Sequence, residues 1–467
     1  MNRISVFAII FTLFIPLGSY AQYASSSKTP KKAGDLIEST SYNDHKRGAP
    51  RMLQYLPSGE EFVCVNGKNR YTRALYGGHT AWRLETGDRP IFATYVKNDC
   101  RNIRFRLHLP DGTVTPLEET DWCEARYNPG TRTYALKDKA WGENCSLKVS
   151  VLASLTEEMA VWELSGELPA GCELEVQNSP IRRKKLSRSG DMGADPPGCF
   201  EPAEDGTVLQ ILKCRFPADG HLYVGISGNE LKEMQDGGVQ YLALQKACRE
   251  LSGRIRITTP DPYFNTLGGA LAVAADGIWG EEGVWLHGAV GWRMPLSGWR
   301  AAYVGDVLGW HDRARTHFDN YAASQVTEVP NTIPHPAQDS ALALARSAKI
   351  WRTPQYSNGY ICRNPRRNNQ MHHYDMNLCY IDELLWHFNW TGDLEYARRM
   401  WPLLTLHLAW EKRNFDPDND GLYDAYACIW ASDALYYNSG AVTHSSAYNY
   451  RGNKLAALIA EKIGEDP

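Results

Sequence analysis

Along residues 50–255, apolar and polar positions alternate in short runs. Ile103, Phe105, Leu107 and Leu109 are separated by Arg104, Arg106 and His108, and Leu147, Val149 and Val151 by Lys148 and Ser150. A period of two puts every second side chain on one face, so each run predicts a half-buried strand. Pro110-Asp111-Gly112, Asn128-Pro129-Gly130 and Ala218-Asp219-Gly220 punctuate the runs, at intervals expected of an antiparallel sandwich. Residues 181–199, IRRKKLSRSGDMGADPPGC, read as a solvated loop whose basic cluster faces water. Ile255 and Ile257 close the last predicted strand, and Thr259-Pro260-Asp261-Pro262 breaks the pattern.

Helical periods follow. Leu378, Ile381, Leu385 and Phe388 share one face, as do Tyr396, Met400, Leu403 and Leu404 on the next helix. A third run, SSAYNYRGNKLAALIAEKIG, places Ala447, Tyr450, Leu455, Leu458 and Ile459 on a broad face and stops at Gly464. Long, aromatic-rich loops join these helices, and loops on a rigid scaffold commonly carry function.

The first residues add a context. Arg3, the apolar run ISVFAIIFTLFIPLG and the small-x-small site Ser19-Tyr20-Ala21 before Gln22 read as a secretory signal, so a periplasmic or extracellular location is expected. The apolar run is shorter than the roughly 20 residues that span a bilayer, and no membrane span is expected elsewhere. The expected organisation is a signal peptide at 1–21, a disordered or extended segment at 22–49, a β-sandwich at 50–258 and a helical domain at 259–467. A net charge of -4 leaves no basic surface for nucleic acid. The 11 cysteines are scattered, without the paired spacing of a zinc site; export permits one or two disulfides, with buried thiols elsewhere. The 15 Trp and 25 Tyr suit sugar faces, and equally fill large cores.

A sandwich followed by TPDPYFNTL, then TGDLEYARRMWPLLTLHLAW, DPDNDGLY, a tryptophan and an aspartate, and a helix ending AEKIG resembles the six-hairpin glycosidases. The likeness spans most of 258–464 and extends to exported Bacteroidetes members of that superfamily. It implies an incomplete (α/α)6 toroid behind the sandwich, because about six or seven helices are countable where a closed toroid has about twelve. On that reading the chain is truncated at its C-terminus, and possible loss of activity goes with it.

The stretch DPDNDGLYDAYACIWASDALYYNSG, residues 416–440, holds the first candidates. Asp416, Asp418, Asp420 and Gly421 occupy places one, three, five and six of a calcium loop, but the twelfth is Ala427 rather than glutamate, which excludes an EF-hand. A hydrogen-bonded turn with Gly421 at positive φ is the preferred reading, a partial calcium site the lesser one, and no other cofactor is expected. The resemblance implies that Asp433, after Trp430, is the general acid protonating the glycosidic oxygen. A carboxyl beside an apolar ring keeps its proton nearer neutral pH, while capping of a helix at Ala434 is the competing role.

Two more stretches could line the same pocket. Trp292, Arg293, Trp299 and Arg300 combine rings for stacking with guanidinium donors for hydroxyls, ahead of a helix on which Asp306 projects as a secondary acid candidate. Related enzymes carry Trp-Asp where this chain has Trp299-Arg300, which puts an acid there in doubt. In NNQMHHYDMN, His373 and Asp375 are expected to contact hydroxyls, with helix capping by Asp375 as the alternative. The function expected is glycoside hydrolysis of an oligo- or polysaccharide with inversion. A polysaccharide lyase using Tyr374 and His373 and a noncatalytic glycan-binding remnant stand as alternatives.

Overall fold

The computed structural model describes residues 54–71, 73–96, 99–182, 197–217, 219–289, 293–327, 358–368, 375–424, 427–428, 435–436 and 441–467. Strands come first: β1 (Leu56–Ser58), β2 (Glu61–Val65), β3 (Arg73–Tyr76), β4 (Arg83–Thr86), β5 (Ile91–Tyr95), β6 (Arg101–His108), β7 (Val114–Pro116) and β8 (Trp122–Asn128). They continue with β9 (Thr131–Lys137), β10 (Ser146–Ala153), β11 (Met159–Glu167), β12 (Glu173–Pro180), β13 (Gln210–Arg215), β14 (His221–Ser227) and β15 (Glu230–Glu233). One sheet runs β1-β2-β8-β9-β10-β11-β14-β15 and the other β13-β12-β6-β5-β4-β3, with β7 on β6. Neighbours pair antiparallel, as Val149↔Leu164 and Val176↔Phe105 illustrate.

The two sheets close on one apolar core. Phe92 and Phe105 of one sheet meet Trp162 of the other at 5.3 and 5.5 Å between ring centroids, and all three are fully buried. The turn signals hold: Gly112, Gly130 and Gly220 take φ of 90°, 78° and 75°, a left-handed conformation that a side chain would strain.

Alternation fails in the second half of β10, whose pattern is buried on both faces. The cause is a helix absent from the sequence expectation, α1 (Gly237–Ser252), lying on the outside of the eight-stranded sheet. Tyr241 and Cys248 pack there on Leu152 and Val161, and the Tyr241 hydroxyl reaches Ser150 Oγ at 2.7 Å. Residues 237–252 were expected within the β region; instead, helix formers bury Tyr241, Cys248 and Leu251 at helical spacing. Ile255 and Ile257 correspondingly form no strand and pack against α2 (Pro262–Gly277), where a side chain on Gly268 would meet them.

The Pro260-Asp261-Pro262 break is a helix start, since Asp261 accepts from Tyr263 N at 2.8 Å and Pro262 opens α2. After it come α3 (Tyr303–Val307), α4 (His311–Ala322), α5 (Asp375–Thr391), α6 (Leu394–Phe415) and α7 (Thr443–Ile463). Leu378, Ile381, Leu385 and Phe388 are buried on α5, and Tyr396, Met400, Leu403 and Leu404 on α6. The α7 face is different from the one expected. Ser445, Asn449, Gly452, Ala456, Ile459, Ala460 and Ile463 are buried, while Tyr450 is 67% and Leu458 48% exposed. The buried stripe mixes the small residues Ser445, Gly452, Ala456 and Ala460 with Asn449, Ile459 and Ile463, so hydropathy alone does not select it. Gly464 ends α7 at φ 84°.

The β3–β4 loop fastens the sandwich to the helices. His79 Nε2 lies 3.1 Å from Asp276 Oδ2 of α2, and Arg313 of α4 donates to Asp276 Oδ1 at 2.7 Å. Burial pushes the Asp276 carboxyl up, but these two partners outweigh it and hold the group below its usual value.

Candidate functional site

α5 is buried almost all round, so the acidic pair Asp382-Glu383 in its middle is unusual. Glu383 is 1% exposed; Oε1 accepts from Ala302 N at 3.1 Å, and Oε2 has no hydrogen-bond partner among the described residues. Burial raises its pKa well above the ordinary carboxyl value, the Asp382 charge adds to this, and Ala302 N–H and Arg300 offset only part. Burial therefore favours the protonated form of Glu383, which can donate a hydrogen bond.

Asp382 is where three parts of the chain meet. It accepts from the Tyr303 hydroxyl of α3 and from Arg451 Nε of α7 at 2.6 Å. Tyr448 of α7 faces the same patch: burial, then Cys379 and Asp382, push its hydroxyl pKa up. The loop before α3 lies tight on α5, for a Cβ on Gly298 would stand 1.8 Å from Met376 O and 2.6 Å from Tyr380 N. Glycine is the residue that fits there. This contact brings the 293–303 loop against the first turns of α5, directly after residues 371–374.

A second buried carboxyl lies on α6. Glu411 accepts from Asn449 Nδ2 of α7 at 3.2 Å, and its pKa is pushed up to about 8 by burial, with Asp375 at the start of α5 contributing. His407 Nε2 stands 3.8 Å from Glu411 Oε1, yet burial pushes that imidazole down to about 3. Both groups are neutral at pH 7, so proximity here is not a salt bridge.

The expected site residues separate into three groups. Asp433, Trp430, Trp292 and His373 lie outside the described residues. Trp299, Arg300 and Asp375 are described: Trp299 is half-buried with its ring 4.3 Å from that of His287, Arg300 is exposed at φ 62° and its charge acts on Glu383, and Asp375 is buried beside Glu411. Arg293 and Asp306 are engaged internally. The Arg293 guanidinium donates to the carbonyls of Gly277, His79 and Trp279 at 2.6, 2.6 and 2.9 Å, so it anchors the loop to the sandwich instead of reaching toward a sugar. Asp306, expected to project from its helix, turns inward: its oxygens lie 2.7 Å from His311 Nδ1 and 2.9 and 3.0 Å from His387 Nδ1, and its side chain is 1% exposed.

The 416–421 loop is a hydrogen-bonded turn. Asp416 accepts from Asp420 N at 3.0 Å, from Gly421 N at 3.3 Å and from Lys412 Nζ, and Gly421 takes φ 80°. Ligand oxygens of Asp416, Asp418 and Asp420 lie within 4.8 Å of one another, but the Asp416 carboxylate is already shared among these donors. No disulfide joins the cysteines whose side chains are described, eight of which are buried, so the expected disulfides are absent among them. No described helix is long and apolar enough to cross a membrane.

Sequence reasoning passed over Asp382, Glu383, Glu411, Tyr448 and Arg451. The available signal was an acidic pair inside NLCYIDELLWHF, a helix with no polar face to hold it. Chemically, the patch offers carboxyl groups, a phenol, guanidinium groups and an indole ring, a set suited to a polyhydroxylated ligand.

A family model described as a domain of unknown function (DUF4450) matches residues 100–208, within the sandwich. No curated protein matches the chain. Among solved structures, the chain is similar to one described as "Putative kojibiose phosphorylase from human microbiome", at 9% identity and a TM-score of 0.47, covering 88% of this chain and 68% of that one. A likeness at that level carries no argument about activity.

Proposed function

We propose that this chain belongs to an exported carbohydrate-active enzyme, a glycoside hydrolase acting on an oligo- or polysaccharide by inverting acid/base hydrolysis. The helices would form part of a toroid around the reaction site. The observation that carries the reading is the gathering of the 293–303 loop, the start of α5 and the first turns of α7 around Asp382 and Glu383. Those elements flank the stretches that contain His373 and Asp433. Asp433 is the general acid, a role taken from the family resemblance; Trp299 and Arg300 contact the sugar.

The test is Asp433→Asn, which keeps shape but delivers no proton. Turnover on a substrate with a poor leaving group should fall by about 10²–10⁴-fold, and an activated aryl glycoside should be spared much of the loss. Equal losses on both, with folding intact, would make Asp433 a positioning residue. Ultraviolet-absorbing unsaturated products would replace hydrolysis with elimination and sink the proposal.

A further inference from the structure

The outer face of the eight-stranded sheet holds an open cleft of about 550 Å³ that the proposed reaction does not use. Its floor is built from His221 and Tyr223, alternate residues of β14 and so on one face of the sheet. Their rings lie nearly parallel, at 12° and 6.5 Å between centroids. A single atom fixes both: Glu163 Oε1 of the adjacent strand β11 lies 3.2 Å from His221 Nδ1 and accepts from the Tyr223 hydroxyl at 3.1 Å. The two rings therefore form a platform whose orientation is set in advance.

One wall is the start of α1. A Cβ on Gly237 would stand 2.1 Å from Tyr223 Cβ, so glycine there lets the start of the helix pack close against the base of the Tyr223 side chain, and Val239 at the lip is 73% exposed. The opposite wall is the β13–β14 turn, where Asp219 Oδ1 accepts from His221 N at 3.2 Å. Among its described lining residues the cleft carries Asp219, Glu233 and Asp236 and no lysine or arginine. Flat rings beside carboxylate acceptors suit the C–H face and hydroxyls of a sugar, and the acidic rim repels uronates and phosphates.

We infer that this cleft is a second, noncatalytic saccharide site that takes neutral polysaccharide and holds it on the sandwich. The inference shares its ligand class with the proposed function but none of its residues. Affinity electrophoresis of the full chain tests it, in gels containing β-glucan, galactomannan or xylan, with polygalacturonate as the acidic control. At least one neutral gel should retard the chain and polygalacturonate should not. Tyr223→Ala, which removes the platform, and Val239→Arg, which blocks the mouth without entering the core, should each weaken retardation about ten-fold. Retardation equal in the parent and both variants, retardation by polygalacturonate alone, or none of the folded parent in any neutral gel would overturn the inference. Retardation lost in Val239→Arg from a chain that hydrolyses nothing would keep this site and reject the hydrolase.

Discussion

In the sandwich, each buried carboxylate faces a cationic side chain: Glu85 lies 2.5 Å from Arg83, Glu118 3.3 Å from Arg104, Glu175 3.5 Å from Lys213, and Asp88 3.9 Å from Arg132. In the helical region, Glu383 has one hydrogen bond among the described residues, from a backbone N–H, and Glu411 faces an amide and a neutral imidazole. The first arrangement holds charge inside a scaffold, where loss of one partner leaves the other stranded. The second keeps carboxyls neutral and available as donors, the condition in which buried acids serve binding or catalysis. Asp276 with Arg313 and Asp416 with Lys412 repeat the paired arrangement among the helices, so the contrast singles out Glu383 and Glu411 and not every buried acid of the helical region.

Its largest consequence is in the sandwich. Arg132 is fully buried and donates to Gly87 O at 2.8 Å and to the Tyr55 hydroxyl, so Arg132→Met deletes both bonds and removes the cation facing Asp88, which keeps its hydrogen bonds from Gln54, Tyr55 and Asn69. A loss of about 3–5 kcal/mol is expected in urea unfolding. Glu411→Gln at pH 6 replaces one neutral group with another and should cost at most about 1 kcal/mol. Equal losses from the two substitutions would erase the distinction between the regions.

Acidity sharpens it next. Glu411 moves from an ordinary value of 4.5 to about 8 on folding, so between those values the folded chain holds a proton that the unfolded chain has released. Stability contributed by this group is fully present below about pH 4.5 and is lost as pH rises through about 8, by at most about 5 kcal/mol. Glu411→Gln should flatten that part of the stability profile and leave the variant more stable than the parent at pH 8. A profile with the same slope in both would show that Glu411 is charged in the folded chain.

Much of the sandwich was legible because a sheet with one wet face writes its period into the sequence, as Ile103 to Leu109 do. The helix α1 was not, since Val239 and Leu242 are exposed apolar residues that blur its face, at 73% and 63%. Trp299, Arg300 and Asp375 were chosen from residue type alone, and type does not reveal which way a side chain turns: Arg293 and Asp306, chosen in the same way, bond inward. Asp382 and Glu383 went unread for a related reason: their significance depends on α5 being buried, and burial is set by α3, α4 and α7, distant in sequence.

The smallest expected effect tests the α7 stripe, which hydropathy alone does not select. Gly452 is buried in mid-helix, but a Cβ there would meet only Leu408 Cδ2, at the ordinary contact distance of 3.7 Å. Glycine costs a helix interior about 0.8–1 kcal/mol relative to alanine, so Gly452→Ala should stabilise the chain by up to that amount. Gly452→Leu should destabilise it, because the added bulk would push α7 away from α6 and strain the Asn449–Glu411 hydrogen bond one turn earlier. Thermal unfolding of both variants separates two reasons for the glycine. A loss with alanine would mean that α7 sits closer to its neighbours than 3.7 Å allows, and a tolerated leucine would mean that the stripe imposes no limit on size.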